Sequence, residues 1–252
     1  MGKKIVSHTN RKGWYEQFKK IMTGRYKKPQ FIYLGEEIKP GSIIISNHEG
    51  TDSPMTLELY CDVPLRMWGA HEMNSGVINT YKYQSRVYYH EKKHWNLFLS
   101  RLFCLIASPL TSLFYKGLNL ISTYRDARFV KTLKESYKTI LNGESVVVFP
   151  EDSTNGYLDQ LEGFHCGVVM MAEYCYKKGI DLPIYVTYLK KNAHQYVVDT
   201  PVLYSEISAD CTSREQVAEK LLHRCNRLGR MEFDSQGNIV CKDATAEMNA
   251  IA

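Results

Sequence analysis

The residues with the plainest chemical potential lie in Ile43-Ile44-Ile45-Ser46-Asn47-His48-Glu49-Gly50-Thr51-Asp52. An apolar run suited to a buried strand gives way to Asn-His and then, one turn on, to a carboxylate. A histidine at the end of a buried strand is suited to take a proton from an alcohol. A nearby aspartate can hold its tautomer and stabilise the imidazolium. The same residue types also serve structure: Asp52 is placed to cap the helix opened by Ser53-Pro54, and His48 to satisfy a buried amide. A second apolar run, Val146-Val147-Val148-Phe149-Pro150, ends in Glu151-Asp152-Ser153-Thr154. A third segment, Gly117-Leu118-Asn119-Leu120-Ile121, is followed by Tyr124-Arg125, and a fourth is Leu182-Pro183-Ile184-Tyr185-Val186.

A different chemistry is written in His90-Glu91-Lys92-Lys93-His94, which fits His-Glu-x-x-His. On a helix that pattern turns two histidines to one zinc ion and offers the glutamate as general base. Here Lys92 and Lys93 read as solvated, no His or Glu occurs from Trp95 through Lys134, and no glycine follows the second histidine. A zinc hydrolase is the lesser alternative, and no metal is expected.

Periodicity and turn signals show what must position these groups. Strands are expected over residues 31–35, 42–46, 65–70, 118–122, 145–149, 183–189 and 196–203. Helices are expected over 127–141, with Asp126 at its start and Asn142-Gly143 at its end, and near 163–178. A last one runs from the capping box Ser213-Arg214-Glu215-Gln216 to about residue 228. Strands alternating with helices imply an α/β fold: a single domain with a largely parallel sheet flanked by helices. In such sheets, sites gather where strands end and helices begin.

Taken in order, the four segments resemble the blocks of the glycerolipid acyltransferase family, of the 1-acylglycerol-3-phosphate acyltransferase type. That family has a strand leading to Asn-His-x4-Asp, a block ending in arginine, Phe-Pro-Glu-Gly-Thr-Arg, and a Val-Pro-Ile strand. The lead-in from Lys39-Pro40-Gly41 to His48 matches, as does Leu161-Glu162-Gly163-Phe164-His165-Cys166-Gly167 after the third block. The resemblance spans about residues 31–189. It implies transfer of a fatty acyl group from acyl-CoA or acyl carrier protein to a hydroxyl of a lysophospholipid-like acceptor. His48 would be the general base and Asp52 its orienting group. Arg125 would bind an anionic headgroup, and Asn47, Glu151, Ser153 and Thr154 would line the substrate pocket. No cofactor is implied beyond the donor thioester.

This chain departs from the pattern in three places. The family's aspartate falls at Ser53, and Asp52 comes one residue early, as in a loop shortened by one. Asp152 stands where glycine is expected and Thr154 where arginine is common, which weakens the case for a phosphate-bearing acceptor. Arg128, one helical turn beyond Arg125, is a candidate to compensate. If the early aspartate breaks the dyad, the alternative is a catalytically inactive lipid-binding protein of the membrane surface.

The chain's net charge of +5 is unevenly placed. Residues 1–30 carry nine Lys/Arg and a single acid, Glu16, leaving the remainder at −3. Within this arm Trp14, Phe18, Ile21 and Met22 have helical spacing, so a basic amphipathic helix is expected. It suits an anionic membrane surface and equally a helix packed on the body. No nucleic-acid recognition motif is present, and nucleic acid is not an expected partner. The division is a 1–30 arm, a 31–232 acyltransferase-like domain and a 233–252 polar tail. Seven cysteines without a CxxC pair, and an N-terminus without an apolar signal core, fit reduced thiols and a cytoplasmic protein. The resemblance, whose substrates lie in or near a bilayer, implies that it is peripheral to the cytoplasmic face of a membrane. The most apolar stretch, residues 95–115, is interrupted by Arg101 and Pro109 and is expected to be a buried core helix rather than one dipping into a membrane surface.

Overall fold

The computed structural model describes residues 12–152 and 158–240. In chain order its elements begin with α1 (Gly13–Met22), β1 (Gln30–Tyr33), β2 (Ile43–Ser46), α2 (Asp52–Tyr60), β3 (Leu65–Ala70), α3 (His71–Asn74) and α4 (Val77–Lys82). A π-helical segment (Tyr83–Lys92) leads to α5 (Leu97–Leu118) and β4 (Ile121–Thr123). There follow α6 (Phe129–Leu141), β5 (Ser145–Val148), α7 (Gly167–Lys177), β6 (Pro183–Lys190), β7 (Gln195–Val198), β8 (Val202–Leu203), α8 (Tyr204–Ser208) and α9 (Arg214–Arg230).

The sheet runs β1-β7-β6-β2-β5-β3-β4. The stretch from β6 to β4 is parallel throughout. β7 and β8 pair antiparallel with β6, and β1 runs parallel to β7. The fold is therefore α/β with a largely parallel sheet, as expected. Side chains alternate across a strand, so the all-buried run Ile43-Ile44-Ile45 feeds both faces. Ile43 and Ile45 join Val146, Val148 and Val186 under Leu133 and Ile140 of α6, Val168 and Met171 of α7 and Leu221 of α9. Ile44 joins Val147, Tyr185, Leu65 and Met67 on the other face, under Leu57 of α2 and Tyr15 of α1.

The structure departs most from the sequence expectations at four elements. The strand expected over 196–203 splits into β7 and β8 at Asp199-Thr200-Pro201. Proline removes a ladder donor there, and Asp199 turns inward to Arg224 (2.8 Å) and Arg227 (2.7 Å). The strand expected from 118 starts only at Ile121, because α5 extends to Leu118 and ends on Asn119 in the left-handed conformation. The polar tail begins by turning back: Phe233 bridges Ile239, and Gln195 of β7 donates to the Asp234 carbonyl. Residues 241–252 lie outside the described residues.

The fourth departure is the largest. Helix α5 is not a core helix: Phe98, Leu99, Leu102, Leu105, Ile106 and Leu110 are all more than half exposed. What it buries is its small and polar stripe, Ser100, Cys104 and Ser108, with the Ser108 hydroxyl donating to Gln84 of the π-helical segment. Helix α1 forms as expected but turns its aromatics inward. Tyr15 and Phe18 pack on Phe114 of α5. Gly117 makes this possible, since a Cβ there would lie 2.1 Å from Tyr15 Cδ2. Lys19 is fully buried beside the buried Glu58, at 3.7 Å. Trp14 and Ile21 remain exposed.

Candidate active site

Parallel strands end at one edge of the sheet, so the residues that follow them form a row. In strand order this row is Lys191 after β6, Asn47-His48 after β2, Glu151 after β5, His71 after β3 and Tyr124-Arg125 after β4. The first and third sequence blocks meet directly. The backbone N–H of His48 donates to Glu151 Oε2 at 3.0 Å, and Glu151 is buried. The half-buried His48 ring lies against Phe149, with centroids 5.1 Å apart.

The turn carrying His48 is pinned from beneath. Asn47 is buried and spends its amide on β6: its Nδ2 donates to the Leu189 carbonyl (3.2 Å) and its Oδ1 accepts from the Leu189 N–H (2.8 Å). The side chain thus prolongs the β2–β6 ladder by one step and fixes where His48 leaves the sheet. Ser46, Ser53 and Tyr196 then share a buried hydroxyl cluster, with Tyr196 Oη 2.7 Å from Ser46 Oγ and 3.1 Å from Ser53 Oγ. Burial pushes the Tyr196 phenol up to about 12, so it stays a neutral hydrogen-bonding group. Ser53, five residues past His48, therefore points into the sheet.

The loop itself turns through two consecutive left-handed residues, Glu49 (φ 41°) and Gly50 (φ 64°). Glycine tolerates this freely, whereas glutamate does so at a cost of about 1–2 kcal/mol. Burial raises the pKa of the Glu49 carboxyl, opposed by the nearby charge of Lys191. Thr51 holds the outer side of the loop through Tyr26 at 3.0 Å. Asp52 opens α2, and its carboxylate pairs with Lys191 at 2.6 Å. Among the described residues no hydrogen bond joins Asp52 to His48. The bond to Asp52 raises the pKa of Lys191 above the ordinary lysine range.

Arg125 is exposed and enters no ion pair among the described residues. It stands three strand spacings from His48, about 14 Å at ~4.8 Å per strand. Arg128 is engaged elsewhere: its guanidinium reaches both oxygens of Asp126 and lies 4.7 Å over the Tyr124 ring. Ser153 and Thr154 lie outside the described residues. The two histidines of the zinc pattern do not share a helical face. His90 belongs to the π-helical segment and bonds the Trp95 carbonyl, while His94 lies past its end with φ 56°.

Lys191 is the site residue that pattern reading misses, because it belongs to no motif. The signal was available: it is the second residue past a strand expected over 183–189, at the edge where such folds place their sites.

No protein-family model matches the chain, and no curated protein matches it significantly. Among solved structures it is similar to the crystal structure of the 1-acyl-sn-glycerophosphate (LPA) acyltransferase PlsC from Thermotoga maritima. The two share 13% identity at a TM-score of 0.48, over 85% of this chain and 76% of that one. At that likeness the residue roles rest on this chain's own sequence and geometry.

Proposed function

We propose that the protein is an O-acyltransferase acting on a lysophospholipid-like acceptor, with acyl-CoA or acyl carrier protein as donor. The observation that carries this is the hydrogen bond from His48 to Glu151. It joins the two sequence blocks that resemble the acyltransferase family at the end of adjacent parallel strands. His48 takes the proton of the acceptor hydroxyl as its oxygen attacks the thioester carbonyl. The carbon–sulfur bond then breaks, and the imidazolium returns the proton to the departing thiolate, leaving an ester and a free thiol. Asp52 orients the imidazole after exchanging its bond to Lys191 for one to His48. Arg125 faces the acceptor headgroup, Glu151 holds the His48 turn, and the sequence resemblance assigns Ser153 and Thr154 to substrate binding.

The reaction needs no cofactor or metal in this reading. Its acceptor lies in a bilayer, so we place the protein on the cytoplasmic face of a membrane, held peripherally at an anionic surface. The Asp52–Lys191 pair favours one rival, an inactive lipid-binding protein in which the dyad never assembles. Thiol release from an acyl-CoA in the presence of a lysophospholipid separates the two. The enzyme releases thiol and the His48→Ala variant does not; absence of release by the wild type across donors and acceptors supports the rival.

A further inference from the structure

Helix α5 is built inside out for a protein surrounded only by water. Phe98, Leu99, Leu102, Phe103, Leu105, Ile106, Leu110 and Leu113 are between 44% and 77% exposed. At 3.6 residues per turn they fall within one arc of about 160°. The opposite arc, Ser100, Cys104 and Ser108, is the buried one. Apolar surface on that scale, on a 22-residue helix that contains an 18-residue window of mean hydropathy 1.7, marks a contact with something apolar. Val77 and Ile78 on the adjoining α4 are exposed as well, and Trp95 stands exposed at the start of α5.

Two further observations choose the occupant. The first is charge. Residues 77–118 contain six Lys/Arg (Lys82, Arg86, Lys92, Lys93, Arg101 and Lys116) and one acid, Glu91, a net of +5. Of these, Lys82, Arg86, Lys93, Arg101 and Lys116 are exposed. Basic residues beside an apolar helix face, with tryptophan at its end, match the layering of an anionic bilayer surface: acyl region, interface, phosphates. A second protein copy would place this +5 segment against its own like charge. The second observation is attachment. Helix α5 packs lengthwise on α4 and the π-helical segment, takes α1 on its C-terminal end, and runs directly into β4. A helix held along one side by the body is fixed to lie in a membrane surface rather than to cross it.

We propose that α4 and α5 form an in-plane membrane anchor, with the apolar arc of α5 immersed in the acyl boundary of an anionic leaflet. This deepens the membrane placement made above and stands independently of the chemistry at His48. It also moves the anchoring role from the basic N-terminal arm, whose Tyr15 and Phe18 are used on the body, to an internal helical lobe.

The test uses the full chain and flotation with vesicles of phosphatidylglycerol and phosphatidylcholine, or of phosphatidylcholine alone. The variants are Ile106→Glu with Leu110→Glu, both on the exposed arc, and separately a deletion of residues 1–11. Circular dichroism melts confirm that each is folded. The expected result is binding by the wild type and the deletion at low salt, at least tenfold weaker binding to phosphatidylcholine alone, and loss of binding in the double variant. Unchanged vesicle binding by the folded double variant would overturn the proposal. So would a wild-type dimer, seen by light scattering, that becomes monomeric in the double variant while the wild type ignores vesicles. If the double variant fails to fold, the single variants Leu102→Ser and Ile106→Ser decide by the same two outcomes.

Discussion

The Lys191 ammonium lies 2.6 Å from the Asp52 carboxylate, across the mouth of the turn that carries His48. β6 and β2 are parallel neighbours, so the residues just past their ends must meet. The aspartate that arrives one position early is thereby held by a half-exposed lysine from the next strand. This pair is the gate between the two readings of the site, because an Asp52 that orients His48 has to leave Lys191.

Lys191→Met is expected to hold or raise kcat by releasing Asp52, whereas Asp52→Asn is expected to lower it by about a hundredfold or more. Steady-state kinetics of the two variants check this. Equal losses in both would mean that the Asp52–Lys191 pair itself, not an Asp52–His48 dyad, is the working unit.

Asn47 sets the position of His48 through the backbone of Leu189. Asn47→Ala strands a buried N–H and a buried carbonyl and should destabilise the fold by about 2–4 kcal/mol, read from urea unfolding. Ser53→Ala removes one hydroxyl from the cluster with Ser46 and Tyr196 and should cost about 1 kcal/mol. A negligible loss for Asn47→Ala would show that β2 and β6 are registered without it.

Gly117 lies under the Tyr15 ring. Gly117→Ala should separate α1 from α5 and destabilise the protein by about 2 kcal/mol. Protease digestion should then cut earlier near α1. Tyr15→Ala combined with Gly117→Ala should cost less than the sum of the two, since both act on one contact.

Acid stability has a local contribution at Glu173 of α7, whose carboxyl is held below its ordinary pKa by the hydrogen bond from Arg214 at the start of α9 and by Lys177. A carboxyl with a depressed folded pKa stabilises above its unfolded pKa, and this is lost as pH falls toward the folded value. Melting temperature should therefore fall less steeply below about pH 4.3 in Glu173→Gln than in the wild type. Parallel curves would place the acid sensitivity elsewhere.

The elements that sequence made plain are those whose physics is local. Ile43-Ile44-Ile45 and Val146-Val147-Val148 are β-branched runs that only a sheet covered on both faces can bury. The 65–70 strand agrees with β3 end for end. His48 and Glu151 were legible as site candidates because each follows such a run. Lys191 was not, since its part arises from strand order rather than from spacing along the chain. Helix α5 was misjudged for a related reason. Apolar periodicity reports which face is oily, not whether that face looks inward, and only Ser100, Cys104 and Ser108 on the opposite arc carry that information. The inward turn of Tyr15, Phe18 and Lys19 likewise depends on partners distant in sequence, Phe114, Gly117 and Glu58.

Acyl transfer at His48 is tested most directly by its product. The purified full chain is incubated with an isotope-labelled acyl-CoA and vesicles containing a lysophospholipid, and the extracted lipids are read by mass spectrometry. The expected result is a diacyl lipid carrying the label, lost by a factor of about 10²–10⁴ in a folded His48→Ala variant. A labelled product formed equally by His48→Ala would contradict the assignment of the base, and no labelled product from the wild type with any donor or acceptor would contradict the transferase itself.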